Sequence, residues 1–306
     1  MDRKAVARET LDIMKQGYYD MADNVEKRDG FKGKRIWIQE DMEWSVSRSI
    51  LITPEQGCEI LAKYDGKGRG EEAAGIQQAA GRRAAAVWVE NISAIDAIGR
   101  MAAEGKENMG VLNFASAKNP GGGFLNGAMA QEESLAASST LYRTLTANEE
   151  YYQVNRANRS MMYTDYGIYS PEVTFFRDGR FHLVEKPVKA SVLTMPAVNM
   201  GQVMQKGEDL HEAKKVMRRR MKLVLAVFAE QGAKNLVLGA YGCGVFRNDP
   251  VQVAAWWKEI LEEGFCQYFE SIYYAVLDSS KSQKCIGAFR QTFMEEYDSS
   301  EKQLRL

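Results

Sequence analysis

The sequence predicts an α/β protein in which helices cover both faces of a mixed, mostly parallel sheet. From about residue 84 onward, short apolar segments with strand character alternate with amphipathic helical segments. The 306-residue chain is 45% apolar and 26% charged, a composition typical of a globular protein with a large core. Because the alternation is absent earlier, we expect a mainly helical N-terminal extension over 1–85, packed on an α/β domain over 86–306.

Two helices are predicted in the N-terminal extension. The segment 3–17 places apolar residues among charges, as an amphipathic helix does. The segment 54–64 follows Thr53, a good N-cap, and has proline at its first position. The glycine-rich stretch 66–70 is predicted to be an exposed loop, and 71–86 is predicted to lead into a strand.

Strands and helices are predicted to alternate through the α/β domain. The predicted strands are 84–91, 109–116, pieces of 166–178, 190–199, 235–241 and 271–278. Proline limits two of them, at Pro171 and Pro196. The predicted helices are 92–105, 132–145, 207–232, 249–264 and a short one around 282–296. The longest helix carries an apolar stripe at helical spacing, which predicts that one face packs on the sheet.

Composition argues against several classes of protein. Lys and Arg number 40 and Asp and Glu number 41, so the chain lacks the basic excess of a general nucleic-acid binder. Two histidines and four cysteines leave little material for a zinc site, and we expect neither a metal nor a cofactor. The cysteines form no CxxC pair and are predicted to be reduced thiols of a cytoplasmic protein. The charged N-terminus and the lack of a long apolar segment predict neither a signal peptide nor a membrane span.

The densest functional signal is the glycine-rich segment NPGGGFLNGAMAQEE at 119–133. It follows the predicted strand 109–116 and opens a helix. Three successive glycines, Gly121, Gly122 and Gly123, allow the backbone to approach a ligand closely. A loop before a helix N-terminus also presents free N–H groups, which suit a phosphate or a polar sugar.

A second glycine-rich segment, GAYGCGVFRN at 239–248, also follows a strand and precedes a helix. The carboxyl ends of parallel strands meet at one edge of a sheet, so both loops are expected to flank one crevice. Their backbone N–H groups would cradle a diphosphate there. Neither loop matches a Walker A motif or a GxGxxG motif with its downstream acid. Together they predict a site for a phosphorylated sugar or a nucleotide.

Two adjacent carboxylates, Glu132 and Glu133, lie in the first turn of the predicted helix. Adjacent helix residues point about 100° apart, so the two side chains are expected to have different chemical roles. One would hold hydroxyl groups and the other would transfer protons, as carboxylates do at glycosidic bonds. The alternative is that both merely offset the helix dipole. The neighbouring glycines favour the chemical interpretation.

These residues resemble the poly(ADP-ribose) glycohydrolase family, whose signature is GGG, six or seven residues, and QEE. The strings VLNFASAKNPGGGFLNGAMAQEESLAASSTLY and NLVLGAYGCGVFRNDP are similar to its microbial-type members. RETLDI near the N-terminus and MPAVN at 195–199 are similar as well. The resemblance covers most of the chain. It implies a macrodomain, which is a three-layer α/β/α sandwich that binds ADP-ribose, preceded by an N-terminal extension.

The resemblance also implies roles for individual residues. Glu133 would protonate the leaving 2′-oxygen of the neighbouring ADP-ribose unit and then activate water. Glu132 would hold ribose hydroxyls, with support from Gln131. The other residues implied to bind substrate are Gly121, Gly122, Gly123, Asn113, Gly242, Cys243, Gly244, Val245, Phe246, Asn91 and Ile92. Among these, Phe246 would pack on the reacting ribose, and Asn91 and Ile92 would lie near adenine.

Two positions depart from the family pattern. Ser116 stands where the family pattern has Asn, and Ser93-Ala94 replaces a Thr-containing pattern at the adenine end. Neither change involves the carboxylate pair, so we expect any effect to be on affinity and on the choice of substrate.

The implied function is release of ADP-ribose from poly(ADP-ribose), without a metal, and from chain ends if the extension closes over the terminal ribose. Two alternatives stay open: a module that binds ADP-ribose without turnover, and a hydrolase of mono-ADP-ribosylated protein or nucleic acid. ADP-ribosylated proteins would be partners, whereas neither a membrane nor a sequence-specific nucleic acid is expected. The tyrosine-rich segment 151–170 would supply an adenine-stacking ring, a rim, or simple packing.

Overall fold

The computed structural model describes residues 2–21, 33–64 and 85–303. The helices are α1 (Arg3–Gln16), α2 (Gln39–Ser47), α3 (Pro54–Tyr64), α4 (Ala94–Ala103), α5 (Gln131–Ser138), α6 (Leu141–Ala147), α7 (Glu149–Ala157), α8 (Met200–Lys206), α9 (Leu210–Glu230), α10 (Pro250–Glu262) and α11 (Lys284–Gln303). The strands are β1 (Tyr18–Met21), β2 (Lys34–Trp37), β3 (Ile50–Ile52), β4 (Ala86–Glu90), β5 (Met109–Phe114), β6 (Gly167–Arg177), β7 (Leu183–Met195), β8 (Asn235–Leu238) and β9 (Ser271–Ala275). The predicted loop 66–70 and nearly all of 71–86 lie outside the described residues.

Within the described chain, seven strands form one sheet in the order β3-β6-β7-β5-β8-β9-β4. The strands from β7 to β4 run parallel to one another, and β6 and β3 are antiparallel to their neighbours. The prediction of a mixed, mostly parallel sheet is therefore confirmed. β1 and β2 form a separate antiparallel pair.

Helices pack on both faces of this sheet because successive strand residues point to opposite sides. In β5, Leu112 belongs to the core shared with α8, α9, α10 and α11. Its neighbour Val111 belongs to the core shared with α4, α5, α6 and α7. Both side chains are fully buried. The result is the predicted three-layer α/β/α arrangement.

The region before residue 85 is tied closely to the large sheet. β3 pairs with β6 at the sheet edge, with Ile50 opposite Tyr169. α3 packs on α9 so tightly that a β-carbon at Gly57 would lie 3.2 Å from the Leu223 side chain. In its described part, this region holds three helices and three short strands. The division into an extension and a domain at residue 85 stays a prediction.

The prediction of a single helix over 132–145 is wrong, because two helices, α5 and α6, occupy this stretch. α5 ends at Ser138, and Ser139 is extended and bridges to Phe175 of β6. The Ser139 hydroxyl donates to the Leu135 carbonyl, and the Thr140 N–H donates to the Thr174 carbonyl. Serine and threonine side chains compete with helical hydrogen bonds, so the chain leaves the helix and pairs with the strand.

The prediction for 166–178 also changes, because one strand runs through Pro171. A bulge absorbs the proline: the register with β7 shifts between Ser170 and Val173, and Glu172 has φ +45°. β7 begins at Leu183, earlier than predicted, and α11 is longer than predicted. The helices α2, α7 and α8 were not predicted.

The carboxyl ends of the parallel strands meet at one edge of the sheet. The loops after β4, β5, β7, β8 and β9 all emerge there. This edge is where ligands bind in open α/β sheets. Among the described helices, none has the length and apolar character needed to cross a membrane.

Candidate active site

A cavity of about 940 Å³ opens at this edge, and both glycine-rich loops line it. Glu132 and Glu133 lie on one wall, and the segment from Gly242 to Phe246 lies on another. The fold therefore brings the two distant loops to one crevice, as the sequence predicts. The volume is of the size that takes a nucleotide-like ligand.

The first loop needs glycine because the chain passes directly against the carboxylates. Gly121 has φ +65° and Gly122 has φ +59°, a conformation that favours glycine. A β-carbon on Gly122 would collide with Oε1 of Glu133 and would lie 3.1 Å from Oε2 of Glu132. The Gly122 backbone therefore lies directly against both carboxylates.

Glu132 is buried beneath the loop, with 3% of its surface exposed. Its carboxylate accepts from the Ser116 N–H at 2.6 Å and from the Asn113 amide at 3.3 Å, and the Gly121 N–H also donates to it. Burial raises the pKa of this carboxyl to about 8, and the nearby Glu133 charge adds to the rise. A carboxyl with this pKa keeps its proton at neutral pH and can donate a hydrogen bond.

Glu133 lies one position further along α5 and turns toward the loop. Its Oε1 accepts from the Gly123 N–H at 2.9 Å, and its Oε2 accepts from the Ala130 N–H at 3.0 Å. The bond to Ala130 is the usual contact of an acid at the third position of a helix. Glu133 is partly exposed and lines the cavity, so the two carboxylates differ in environment.

Gln131 joins the start of α5 to the end of β5. Its side-chain nitrogen donates to the Leu112 carbonyl at 2.7 Å, and its oxygen accepts from the Phe114 N–H at 2.8 Å. These bonds continue the ladder of the strand and hold the carboxylate pair at its carboxyl end. Asn113 lies between Leu112 and Phe114 in β5. Its amide nitrogen donates to Glu132 and to Thr194, while its Oδ1 has no partner among the described residues.

The second loop is held from behind by Asn248. Gly242 has φ +74°, and a β-carbon there would lie 2.6 Å from the Asn248 amide and 2.7 Å from Ala197. The Asn248 amide donates to the Gly242 carbonyl at 3.0 Å and to the Val198 carbonyl at 2.9 Å. At the tip, Gly244 faces open space and Val245 is 85% exposed. The loop tip is therefore open to a ligand while its base is rigid.

Phe246 is half-buried and its ring lies 5.9 Å from that of Tyr163. Tyr163 has φ +57° and lines the cavity. It was not among the predicted site residues, although the tyrosine-rich segment 151–170 contains it. Tyr151 and Tyr152 of that segment are fully buried in the core, so the segment provides both packing and a cavity wall.

Cys243 lines the cavity, but its thiol is a poor nucleophile. Burial raises the pKa of its thiol far above the ordinary value, and the nearby Cys285 and Asp249 add to the rise. A thiol in this state is not a nucleophile. All four cysteines are unpaired. Within residues 2–21, 33–64 and 85–303, no cluster of His, Cys, Asp and Glu has the make-up of a metal site.

The structure separates the predicted residues into three groups. Those lining the cavity are Gln131, Glu132, Glu133, Gly122, Gly123, Gly242, Cys243, Gly244, Val245, Phe246 and Ile92. Asn113 and Gly121 lie behind Glu132 and hold it. Asn91 does not line the cavity, because its side chain exchanges two 2.9 Å hydrogen bonds with the Asp278 backbone. Asn91 thereby holds Asp278, which does line the cavity.

The two departures from the family pattern have local explanations. The Ser116 hydroxyl accepts from the N–H groups of Lys118 and Asn119 and so closes the turn before the glycines. The Ser93 hydroxyl accepts from the Asp96 N–H and caps α4. Ser116 also has a role that its sequence position did not reveal, since its N–H binds Glu132.

Known proteins support one assignment consistently. The model of the microbial-type PARG catalytic domain matches residues 7–178. Poly(ADP-ribose) glycohydrolase (PARG) from Thermomonospora curvata is 35% identical, with 95% of this chain and 99% of that chain covered and a TM-score of 0.84. The same enzyme bound to the inhibitor ADP-HPD is 34% identical, with the same coverage and a TM-score of 0.82. PARG from Deinococcus radiodurans in complex with ADP-ribose is 40% identical over 83% of this chain and 97% of that chain, with a TM-score of 0.72. Comparison with curated protein sequences gave no match.

Proposed function

The chain belongs to the microbial-type poly(ADP-ribose) glycohydrolase family and is a glycosidase acting on poly(ADP-ribose), and we propose that Glu133 is its acid/base catalyst. The substrate bond joins the anomeric carbon of one ribose to the 2′-oxygen of the next unit. The observation that carries the proposal is the position of two unlike carboxylates on one cavity wall, between two glycine-rich loops.

Glu133 protonates the leaving 2′-oxygen and then takes a proton from the water that attacks the anomeric carbon. Its partial exposure supports this role, because a group that exchanges protons twice must reach both the bond and water. The N–H groups of Gly123 and Ala130 hold its carboxylate in place. Such fixed donors keep the reacting atom in position without reorganisation during the reaction.

Glu132 orients the substrate instead of exchanging protons with it. Its pKa of about 8 supports this role, because the neutral acid donates a hydrogen bond to a ribose hydroxyl. The hydrogen bonds from Ser116 and Asn113 fix its direction. Unlike environments on neighbouring carboxyls are typical of sites that divide acid and binding roles.

ADP-ribose lies with its diphosphate against the two loops. Backbone N–H groups of the first loop and of the segment from Gly242 to Val245 take the phosphate oxygens. Phe246, supported by Tyr163, packs on the reacting ribose. Ile92 lies toward the adenine end. We expect glycohydrolysis by this arrangement to use no cofactor. A cytoplasmic location, which the unpaired cysteines suggest, stays a prediction.

The test compares Glu133→Gln with wild type on purified poly(ADP-ribose), with free ADP-ribose as the measured product. The variant should lose about 10² to 10⁴ in rate while it still binds ADP-ribose. Glu149→Gln is the matched control, because Glu149 is an exposed acid in the first turn of α7 and does not line the cavity.

Three outcomes would contradict parts of the proposal. Full activity in Glu133→Gln would exclude the acid/base role. Tight ADP-ribose binding by a wild-type protein that leaves the polymer intact would favour a binding module. Cleavage confined to mono-ADP-ribosylated protein would favour the other hydrolase. Exo-type cleavage is proposed as well, and it requires that the first products from long polymer be ADP-ribose and not oligomers.

A further inference from the structure

A second cavity, of about 290 Å³, lies between α1, α2 and α6. We call it the junction groove, because the N-terminal region meets the α/β domain there. Its apolar residues are Leu11, Met14, Met42 and Tyr142, and its basic residues are Lys15 and Arg143. Tyr142 also lines the active-site cavity, so the two cavities share a wall.

The shared wall packs against the first glycine loop. The Tyr142 ring meets the Phe124 ring edge-on, with 4.9 Å between the centroids. Phe124 lies beneath the first glycine loop, where a β-carbon on Gly121 would be 2.9 Å from its ring. A small gap among Arg3, Val6, Phe124 and Phe181 also reaches Glu133, so α1 lies close to the catalytic wall.

The substrate determines what must lie beyond Glu133 on this side. In the proposed reaction the 2′-oxygen that leaves belongs to the adenosine ribose of the next unit. The leaving fragment therefore begins with an adenosine, followed by a diphosphate. A subsite for it needs a flat apolar surface near the carboxylate and positive charge a short distance away.

We propose that the junction groove binds the adenosine and diphosphate of the leaving polymer unit, an inference that rests on the proposed function. The base packs on Leu11 and Tyr142, the two half-buried apolar side chains of the groove, and the exposed Lys15 and Arg143 attract the diphosphate. In the described part of the chain, neither of these two basic side chains has an acidic partner. Glu43, the acid that lines the groove, accepts a 2.9 Å hydrogen bond from the Gln39 amide.

The experiment compares two substrates that share the ADP-ribose unit and differ in the leaving group. One is poly(ADP-ribose), and the other is an aryl glycoside of ADP-ribose, whose leaving group is a small phenol. The test variant carries Lys15→Gln with Arg143→Gln. The control carries Lys106→Gln with Lys234→Gln, which removes the same charge next to the amino ends of β5 and β8, at the opposite edge of the sheet.

The double test variant should lose about three- to tenfold in kcat/KM on polymer, the scale expected of two exposed charge contacts. Its polymer activity should also depend less steeply on salt. Its kcat/KM on the aryl glycoside and its affinity for free ADP-ribose should equal those of the wild type and the control.

Unchanged polymer activity at low salt would overturn the subsite. An equal loss on both substrates would also overturn it, because the charges would then act through the fold or the active-site cavity. Failure of the proposed function would be seen in the wild type, which would then cleave neither substrate. Failure of the subsite would be seen only in the comparison of the variants.

Discussion

The stability of Glu132→Gln relative to wild type is expected to rise with pH. Glu132 is 3% exposed, and burial raises the pKa of its carboxyl from 4.5 to about 8. The Ser116 N–H and the Asn113 amide partly oppose the rise, because they stabilise the carboxylate. The folded protein therefore binds this proton at a pH where the unfolded chain has lost it. It follows that the free energy of unfolding falls as pH rises through this range.

The size of the effect follows from the two pKa values. One unit of pKa shift corresponds to about 1.4 kcal/mol. Between about pH 5 and about pH 7 the unfolded carboxyl ionises while folded Glu132 stays protonated, which removes about 2 to 3 kcal/mol from the wild type. Glutamine has a similar shape and cannot ionise, so the variant escapes this loss. Below about pH 4 the contribution of ionisation to the difference vanishes.

The assay is urea unfolding of wild type and Glu132→Gln at the two pH values, with Glu149→Gln as the control. The difference between wild type and Glu132→Gln should change by about 2 to 3 kcal/mol between the two conditions. The control should follow the wild type. A difference that stays constant with pH would mean that folded Glu132 ionises normally, and the proposed hydrogen bond from its neutral form to ribose would have to be abandoned.

Three further predictions concern the site. Gly122→Ala should lower polymer cleavage by about 10²-fold, since its methyl group would displace the carboxylate of Glu133, the proposed catalyst. The methyl group of Gly99→Ala on α4 meets open space, so this variant should keep full activity and gain up to about 1 kcal/mol in stability. Equal activity of the two variants would argue against a tight loop. Gln131→Ala removes two hydrogen bonds to β5, so kcat should fall with little change in KM and stability should drop by about 1 to 3 kcal/mol; a rise in KM alone would point to direct binding. Iodoacetamide should label exposed Cys58 and spare Cys243 in the folded protein, as peptide mass spectrometry would reveal, and early labelling of Cys243 would contradict its suppressed thiol.

Features that depend on local chemistry were predictable from sequence. Gly121 and Gly122 take positive φ because only the local backbone and the missing β-carbon decide this. The Thr53 N-cap and the Asp249-Pro250 start of α10 are likewise local. Alternating strands and helices were enough to bring both glycine loops to one edge of the sheet, since parallel strands leave no other arrangement.

Other features were decided by residues far apart in the chain. The break after α5 depends on Ser139 and Thr140 meeting β6, which no helical pattern reveals. Tyr163 reaches the cavity wall through a strained backbone beside Phe246, over 80 positions away. The amide of Asn91 is committed to the Asp278 backbone and is not free for adenine.

Residue spacing and helix periodicity are local properties, so they were enough to predict that two neighbouring carboxylates follow a glycine loop at a helix N-terminus. Which of the two carboxylates is buried depends on the tertiary structure. Glu132 and Glu133 are the same residue type one position apart, and only the packing of α5 against β5 encloses the first and leaves the second facing the cavity. Burial sets the pKa and access to water sets the reactivity, so the proposed division of roles between the two rests on the folded structure.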